Sequence, residues 1–225
     1  MSDREIQSQG VETAPVQSGA QVAADSLGYL VRGDFNRLVN DLVIEAARKK
    51  AAHPDGNIIE WKLPLPLRLK LRIILQRNFL SVFFYRLSHA AAKNSIPLLP
   101  RILVQMNVSR HGLEIDPDAV IGPGFRIAHT VGNVIGPIRA GKNLSLMGGV
   151  TIGARAALDP REDGCPVIGD DVRFMAGGAA WGPIEIGSNS TIGSRAVLTQ
   201  SVPAGTRVIA PKSTVVINPP PGWTL

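Results

Sequence analysis

Aliphatic or small residues return at intervals close to six between Ile115 and Pro203, with mostly polar residues between them. These lead residues are Ile115, Ile121, Ile127, Ile135, Ala140, Leu146, Ile152, Ile168, Phe174, Ala180, Ile186, Ile192 and Leu198. The interval matches neither the period of a helix, about 3.6 residues, nor the alternation of a strand. It is typical of solenoids built from hexapeptide repeats, each a short strand and a corner. We therefore predict a mainly β domain with the lead residues in a stacked apolar core.

Glycine follows several lead residues directly: Gly122, Gly136, Gly153, Gly169, Gly187 and Gly193. We expect these glycines to adopt backbone conformations that a Cβ atom would obstruct. A β-sandwich with frequent turns is the alternative architecture, but its strands need two-residue alternation and its loops vary in spacing. The regular interval favours the solenoid.

The interval is interrupted once, between Ile152 and Ile168, by the segment ARAALDPREDGCPV. Proline, glycine and mixed charge predict a loop over 154–166 that leaves the solenoid, and loops on regular scaffolds often carry binding chemistry. After Pro203 the rhythm fades, and the final PPPGWTL predicts an irregular tail.

The N-terminal half lacks the six-residue interval. Apolar residues at helical spacing over 34–52 predict a helix, with Asp34 as its N-terminal cap. Prolines precede two further helical stretches, over 67–92 and 101–110. The predicted segments are a disordered leader over 1–25, an α-helical cap over 26–110, a β-helix domain over 111–210 and an irregular tail over 211–225.

Composition and charge narrow the class of protein. Hydrophobic residues make up 44% and aromatic residues only 5%, which suits a narrow interior filled by aliphatic side chains. The net charge of +6, concentrated before residue 115, favours anionic partners such as coenzyme phosphates, nucleic acid or an anionic membrane. The single cysteine, Cys165, excludes an intramolecular disulfide framework and fits a reducing compartment.

Two observations bear on location. Residues 1–21 are polar and predict no signal peptide. The most apolar run, over 63–87, is interrupted by charged and polar residues too often for a spanning helix, which needs about 20 apolar residues. We expect a cytoplasmic protein, and the sequence leaves open a peripheral contact with the inner face of the membrane. We expect no nucleic-acid partner, because the basic residues over 67–77 are explained more simply by a helix whose apolar face packs in the cap and whose basic side chains reach solvent.

Three segments carry a family resemblance: FRIAHTVGNVIG over 125–136, SLMGGVTIG through CPVIGDDV over 145–172, and IEIGSNSTIGSRAVLTQSVPAGT over 184–206. They resemble the serine acetyltransferase group of left-handed β-helix acyltransferases, and FFYRLSHAAAKNSI over 83–96 is similar to the helix before the β-helix in that group. Within the group the chain looks closer to the branch that acetylates exopolysaccharide or capsule sugars. The resemblance implies a left-handed parallel β-helix with three hexapeptides per turn, acetyl-CoA as donor and no metal. It also implies homotrimers with active sites between subunits, and leaves open a dimer of trimers.

His129 is the predicted catalytic base. It stands at an outward-pointing corner position and matches the catalytic histidine of the family that the chain resembles. An alcohol is a poor nucleophile until its proton is removed, so acetyl transfer from a thioester to a hydroxyl needs a base. An imidazole titrating near neutral pH can take that proton and return it to the departing thiolate.

Glu114 falls where the family carries an aspartate that pairs with the histidine, and a carboxylate commonly orients such a base. An exposed corner glutamate without a role is the alternative. His111 is a competitor for this proximity because it lies eighteen residues, one implied turn, before His129.

Two departures from the family concern the acceptor. Serine acetyltransferases carry an aspartate before the histidine and an Arg-His pair at the end of the loop, where this chain has Ala128 and Gly164-Cys165. Those charged groups would hold the ammonium and carboxylate of an amino acid, and each contact is worth about 1.5–3 kcal/mol. A sugar hydroxyl is therefore the expected acceptor, whether on a small molecule or on a lipid-linked sugar.

Cys165 replaces the second histidine of that pair and suggests a covalent acetyl-cysteine route. Nearby Glu162 and Asp163 would raise the pKa of the thiol, which disfavours attack at neutral pH. We expect direct transfer and an inert thiol.

By resemblance, acetyl-CoA lies along a groove between coils. The implied backbone contacts are Gly153, Ala154, Ala176, Gly177 and Ser194, and the basic candidates for the nucleotide phosphates are Arg195 and Lys212. Small side chains permit close approach of the pantetheine arm. Both basic residues can equally be solvated surface charges.

The predicted function is acetyl-CoA-dependent O-acetylation of a hydroxyl, of a sugar in exopolysaccharide or cell-surface polysaccharide biosynthesis. Serine O-acetylation in cysteine biosynthesis is one alternative. A non-catalytic β-helix scaffold is the other, and Cys165 in place of the second histidine is the feature in its favour.

Overall fold

The computed structural model describes residues 26–52, 74–155 and 164–211, with side chains placed outside 42–52. Three helices come first: α1 (Leu27–Ala52), α2 (Arg77–Lys93) and α3 (Leu99–His111). Short strands follow: β1 (Leu113–Ile115), β2 (Val120–Ile121), β3 (Arg126–Ile127), β4 (Asn133–Ile135), β5 (Arg139–Ala140), β6 (Ser145–Leu146), β7 (Thr151–Gly153), β8 (Val167–Ile168), β9 (Arg173–Phe174), β10 (Ala179–Trp181), β11 (Glu185–Ile186), β12 (Thr191–Ile192), β13 (Val197–Leu198) and β14 (Arg207–Val208).

The strands form three parallel sheets, and the chain visits each sheet once per turn of a left-handed parallel β-helix. The first sheet has the order β1-β4-β7-β10-β13, the second β11-β8-β5-β2 and the third β14-β12-β9-β6-β3. Because β14 still pairs with β12, the repeat continues past Pro203, where the sequence rhythm fades.

The thirteen lead residues are all buried, and none is more than 5% exposed. The predicted core is confirmed. Each lead residue of one turn packs on that of the next, as Ile121 pairs with Ala140 and Ile127 with Leu146. The lead residues therefore form continuous apolar columns along the axis.

The strand register locates the interruption. Ile152 pairs with Ala180, a step of 28 residues, whereas Ala180 pairs with Leu198, a step of 18. One turn therefore contains an insertion, as predicted. Both ends of the predicted loop nonetheless pack inward, since Ala154 contacts the core and Cys165 belongs to it. The course predicted for residues 156–163 lies outside the described residues.

Four of the six glycines after the lead residues are required by close packing between turns, and not by the unusual backbone conformations that were predicted. None of them has a positive φ. A Cβ on Gly122 would lie 2.7 Å from the carbonyl oxygen of Gly141, and one on Gly169 would lie 2.6 Å from the amide of Ser188. Close approach of the next turn, rather than unusual dihedral angles, excludes a side chain at Gly122, Gly169, Gly187 and Gly193, whereas a Cβ on Gly136 or Gly153 would make only ordinary contacts.

Positive φ values recur at two of the three corners instead, whereas the described part of the third corner has one, at Gly182. One corner has Gly124, Asn143, Asp171, Asn189 and Gly205; the other has Gly112, Gly132, Gly149, Gly177 and Arg195. Glycine and asparagine are the residues that adopt this left-handed conformation most readily. The corner chemistry therefore repeats once per turn, like the core.

Helix α1 begins at Leu27, seven residues before the predicted start, so Asp34 lies inside the helix and the predicted cap is wrong. Asp34 is buried and forms an ion pair with Arg86 of α2, with Nε to Oδ2 at 2.9 Å and Nη2 to Oδ1 at 3.1 Å. The amide of Phe125 donates to Asp34 at 2.8 Å, and Arg86 donates to the carbonyls of Ile121 and Gly122. This cluster joins both helices to the first turn of the β-helix.

The buried cluster also affects protonation. Burial, the largest single cause, would lower the pKa of Arg86, but the charges and hydrogen bonds of Asp34 and Tyr85 together outweigh it, so the pKa is raised. Arg86 therefore keeps its charge in the folded chain.

The two later helices agree with the sequence. Helix α3 matches the predicted 101–110 within two residues, and α2 covers most of the predicted 67–92 but begins at Arg77. Residues 67–73 lie outside the described part of the chain. Among the described helices, none combines the length and apolar character needed to cross a bilayer.

Candidate active site

His129 lies in the corner that joins the third sheet to the first, two residues after β3. Its side chain is exposed, and within the described residues its ring makes no hydrogen bond or ion pair. The imidazole can therefore exchange a proton with a molecule that approaches from solvent.

Two asparagines hold the backbone of this corner. Asn78 of α2 donates from Nδ2 to the carbonyl of Ala128 at 2.9 Å, and Asn133 donates to the carbonyl of His129 at 2.8 Å. Asn133 is fully buried, and its Oδ1 accepts from the amide of Val150 at 2.8 Å. These contacts fix the backbone and leave the ring free. Sequence analysis missed both asparagines because their partners, 50 and 17 residues away, follow no local pattern.

A strip of small residues runs from His129 along the same corner, one residue per turn. The small-residue strip consists of Gly148, Ala176 and Ser194, which follow His129 in that order along the corner. A Cβ on Gly148 would lie 3.2 Å from the Cβ of His129, so the two residues are in contact. The amide of Gly177 donates to Gly148 at 2.9 Å, and that of Arg195 donates to Ala176 at 3.0 Å, which continues the stack. At about 4.8 Å per turn, three turns separate His129 from Ser194 by about 14 Å.

Four of the predicted coenzyme residues belong to this corner: Ala176, Gly177, Ser194 and Arg195. All four are exposed, and Gly177 and Arg195 have φ of 66° and 57°. An extended chain laid along the strip would meet backbone and small side chains, with one guanidinium near the far end. Lys212, the other basic candidate, lies outside the described residues.

Four other predicted site residues lie at the opposite end of the strands of the first sheet, at the corner that leads to the second sheet: Gly153, Ala154, Gly164 and Cys165. Gly153 ends β7, and the Cys165 sulfur lies 3.8 Å from a Cβ built on Gly136 at the end of β4. Within one chain the first sheet therefore separates these residues from His129, and the predicted set is not assembled in a single subunit.

Glu114 is exposed on the outer face of β1, in register with Val134 of β4. No hydrogen bond or ion pair joins it to His129 in the described chain. The pairing inferred from the family is therefore not made within one subunit and stays a prediction for the assembled protein.

His111 is not stacked beneath His129. It ends α3, and the amide of Gly132 donates to Gly112, so the first turn spans 20 residues rather than the assumed eighteen. His111 is buried against the ring of Phe84, with centroids 5.9 Å apart. Burial, followed by nearby positive charges, lowers its pKa. It is thus removed as a competitor for the catalytic role.

Cys165 is only 3% exposed. Burial, followed by the negative charge of Asp116, raises the pKa of its thiol. The predicted direction is confirmed, whereas the contribution predicted for Glu162 and Asp163 lies outside the described residues. A buried thiol with a raised pKa is a poor nucleophile at neutral pH.

Replacing Cys165 with serine should therefore leave turnover nearly unchanged. Cys165→Ala is the matched control, because it removes the sulfur without placing a hydroxyl in a buried position. Intact mass after incubation with acetyl-CoA should show no added acetyl group. Collapse of turnover in both variants, with an acetyl adduct on the unmodified chain, would establish the acetyl-cysteine route instead.

Metal chemistry has no visible site in the described part of the chain, where no three potential histidine, cysteine or carboxylate ligands come together.

Comparison with known proteins places the chain among acetyltransferases, although no family model matches it. It is 39% identical over 133 residues to the plasmid serine acetyltransferase of Synechococcus elongatus, covering 56% of this chain and 42% of that protein. It is 33% identical over 145 residues to the Mycobacterium tuberculosis serine acetyltransferase, covering 63% of this chain and 62% of that protein. The chain thus spans less than two thirds of the length of both relatives.

Solved structures give the same family. Soybean serine acetyltransferase has a TM-score of 0.63 at 26% identity, covering 88% of this chain and 72% of that one. The Neisseria gonorrhoeae serine acetyltransferase has a TM-score of 0.65 at 24% identity, covering 88% of this chain and 69% of that one, and shows the shared fold.

The Helicobacter pylori serine acetyltransferase is 30% identical over 145 residues, which cover 64% of this chain and 84% of that protein. This chain belongs to the serine acetyltransferase family.

Proposed function

We propose that the chain transfers an acetyl group from acetyl-CoA to a hydroxyl, with His129 as general base. The observation that carries the proposal is the exposed, unpartnered imidazole at one end of a strip of small residues. His129 takes the acceptor's proton as the hydroxyl oxygen attacks the thioester carbonyl. The carbon–sulfur bond breaks, and His129 returns the proton to the thiolate.

The small-residue strip supports a site for the pantetheine arm. Gly148 leaves no side chain above the imidazole, and Ala176 and Ser194 add little bulk along the next turns. Arg195 would meet the nucleotide phosphates at the far end, where its guanidinium offers several hydrogen-bond donors. The thioester would then lie beside His129.

A trimer would complete the site. The outer face of the first sheet exposes Val134, Val197 and Trp181, with exposed fractions of 42%, 53% and 37%. A neighbouring subunit packed on this apolar face could place its own Glu114, and the corner that contains its Cys165, beside His129. We therefore propose a homotrimer with shared sites, and a dimer of trimers remains compatible with it.

The acceptor divides into two candidates. The relatives are named serine acetyltransferases, which favours serine as acceptor and a role in cysteine biosynthesis. The residues predicted to bind the acceptor favour a carbohydrate, because Ala128 offers no charge for an ammonium and the buried Cys165 no cation for a carboxylate. We propose a sugar hydroxyl, of an exopolysaccharide or cell-surface polysaccharide precursor.

Ala128→Asp tests this choice. If the missing carboxylate is what excludes serine, restoring it should raise kcat/KM for serine by about 10- to 150-fold, the equivalent of a charge-assisted contact. Ala128→Asn is the matched control, because it adds similar volume without charge and should give little gain. Release of free CoA is the readout. Efficient serine turnover by the unmodified chain, with no gain in Ala128→Asp, would favour serine as the native acceptor.

A further inference from the structure

The loop between α2 and α3 exposes a cluster of large aliphatic side chains. We call residues 94–102 the hairpin tip. Its exposed fractions are 44% for Ile96, 70% for Leu98, 38% for Leu99 and 53% for Ile102. Single exposed aliphatic residues are ordinary, but a contiguous group of this kind marks an interaction surface.

The backbone of the hairpin tip holds these side chains outward. Leu98 has φ of 64° and Ser95 has φ of 54°. A bulky residue in the left-handed region is strained by about 1–3 kcal/mol and persists only where its surroundings impose it. Here Pro97 and Pro100 stiffen the loop, and the Ser88 hydroxyl donates to the carbonyl of Pro100 at 3.0 Å. Leu98 therefore combines a strained backbone with an exposed side chain.

Both helices of the hairpin connect its tip to the first turn of the β-helix. Helix α3 leads from the tip directly into β1, so the tip lies about 18 Å from the first strand at about 1.5 Å per residue. Helix α2 is anchored to the first turn along most of its length, through Asn78 to Ala128, Arg86 to Ile121 and His89 to Pro117. The tip therefore follows an anchored helix, and its aliphatic side chains are exposed to solvent.

Charge identifies the kind of surface. The sequence has no aspartate or glutamate between Glu60 and Glu114, although this interval contains both helices of the hairpin. Lys93 is exposed beside the tip, and Arg101 is exposed within it. Aliphatic side chains flanked by cations complement an anionic lipid surface, where each basic residue contributes about 1 kcal/mol.

A second copy of the chain is the less favourable occupant. In a two-fold interface each residue meets its symmetry-related neighbourhood, so the Arg101 side chains would approach each other. The hairpin has no acidic residue to pair with them, and like charges across an interface cost affinity.

We propose that the hairpin tip docks on anionic membrane. Leu98 and Ile102 enter the boundary between headgroups and acyl chains, while Arg101 meets lipid phosphates. The inference is independent of acetyl transfer, because binding to vesicles needs neither substrate nor turnover.

Leu98→Gly is the sharpest variant. Glycine accepts a positive φ without strain, so unfolding should occur at the same or a higher temperature. Loss of the side chain should weaken vesicle binding about tenfold or more, as expected for one buried leucine. Ile209→Gly is the matched control: Ile209 is 76% exposed at the opposite end of the β-helix, and its replacement should not change binding.

Co-sedimentation of the full chain with phosphatidylcholine vesicles, with and without phosphatidylserine, is the measurement. Binding should require phosphatidylserine, decrease with salt and be lost in Arg101→Glu. Absence of binding to vesicles with and without phosphatidylserine alike, or unchanged binding of Leu98→Gly, would overturn the proposal. A fall in particle mass by light scattering in Leu98→Gly would assign the tip to an interface between copies and would also overturn it.

Discussion

Replacing His129 with alanine should lower turnover by about 10² to 10⁴, the usual contribution of a positioned acid-base group. Nothing else among the described residues of this corner can take the proton, since the strip beside it consists of Gly148, Ala176 and Ser194. The folded structure should survive, because the His129 side chain is exposed. Unfolding temperature, acetyl-CoA binding and trimer mass should therefore match the unmodified chain.

Glu114→Gln is the companion variant. If a neighbouring subunit brings Glu114 to His129, removing its charge leaves the imidazole present but poorly oriented, so the loss should be smaller than in His129→Ala. A fully active His129→Ala enzyme would contradict the mechanism. Protein that binds acetyl-CoA but acetylates no hydroxyl would support the scaffold alternative.

Replacing Asp34 with alanine should lower the free energy of unfolding by about 3–5 kcal/mol, the cost of removing one partner of a buried ion pair. Arg86 would stay buried with its carboxylate partner lost, and the amide of Phe125 would lose its acceptor. This cluster is the buried part of the attachment of α1 to the β-helix, which also includes hydrogen bonds from Arg37. Urea unfolding monitored by circular dichroism measures the change.

Asp41→Ala is the matched control for that experiment. Asp41 pairs with Arg126 at the same distance, 2.9 Å, but their side chains are 28% and 42% exposed. Exposed pairs contribute about 0–1 kcal/mol, so the loss should be small. Equal losses in the two variants would show that burial does not determine the strength of the Asp34 pair.

Sequence periodicity predicted the β-helix core because its cause is local. Each lead residue is buried by its own position within a six-residue repeat, and this holds for Ile121 and Ile192 alike. Asp34 could not be placed in the same way, since its partner Arg86 is 52 residues away. The start of α1 at Leu27 was missed for the same reason, because contacts with α2 rather than local spacing stabilise that helix.

The candidate site was predictable in part. The corner position made His129 an exposed residue, and small side chains marked Ala176 and Ser194. Which edge of the sheet each residue occupies depends on turn length, and the first turn of 20 residues moved His111 out of line. The contact of Asn133 with Val150 and the burial of Cys165 depend on stacking between turns, which one sequence does not specify.

Release of free CoA from acetyl-CoA, measured with serine, simple sugars and nucleotide-sugars as acceptors, tests the central claim most directly. The unmodified chain should release CoA in an acceptor-dependent manner, fastest with a carbohydrate, and His129→Ala should not. Absence of acceptor-dependent release with every hydroxyl, or equal release by His129→Ala, would contradict it.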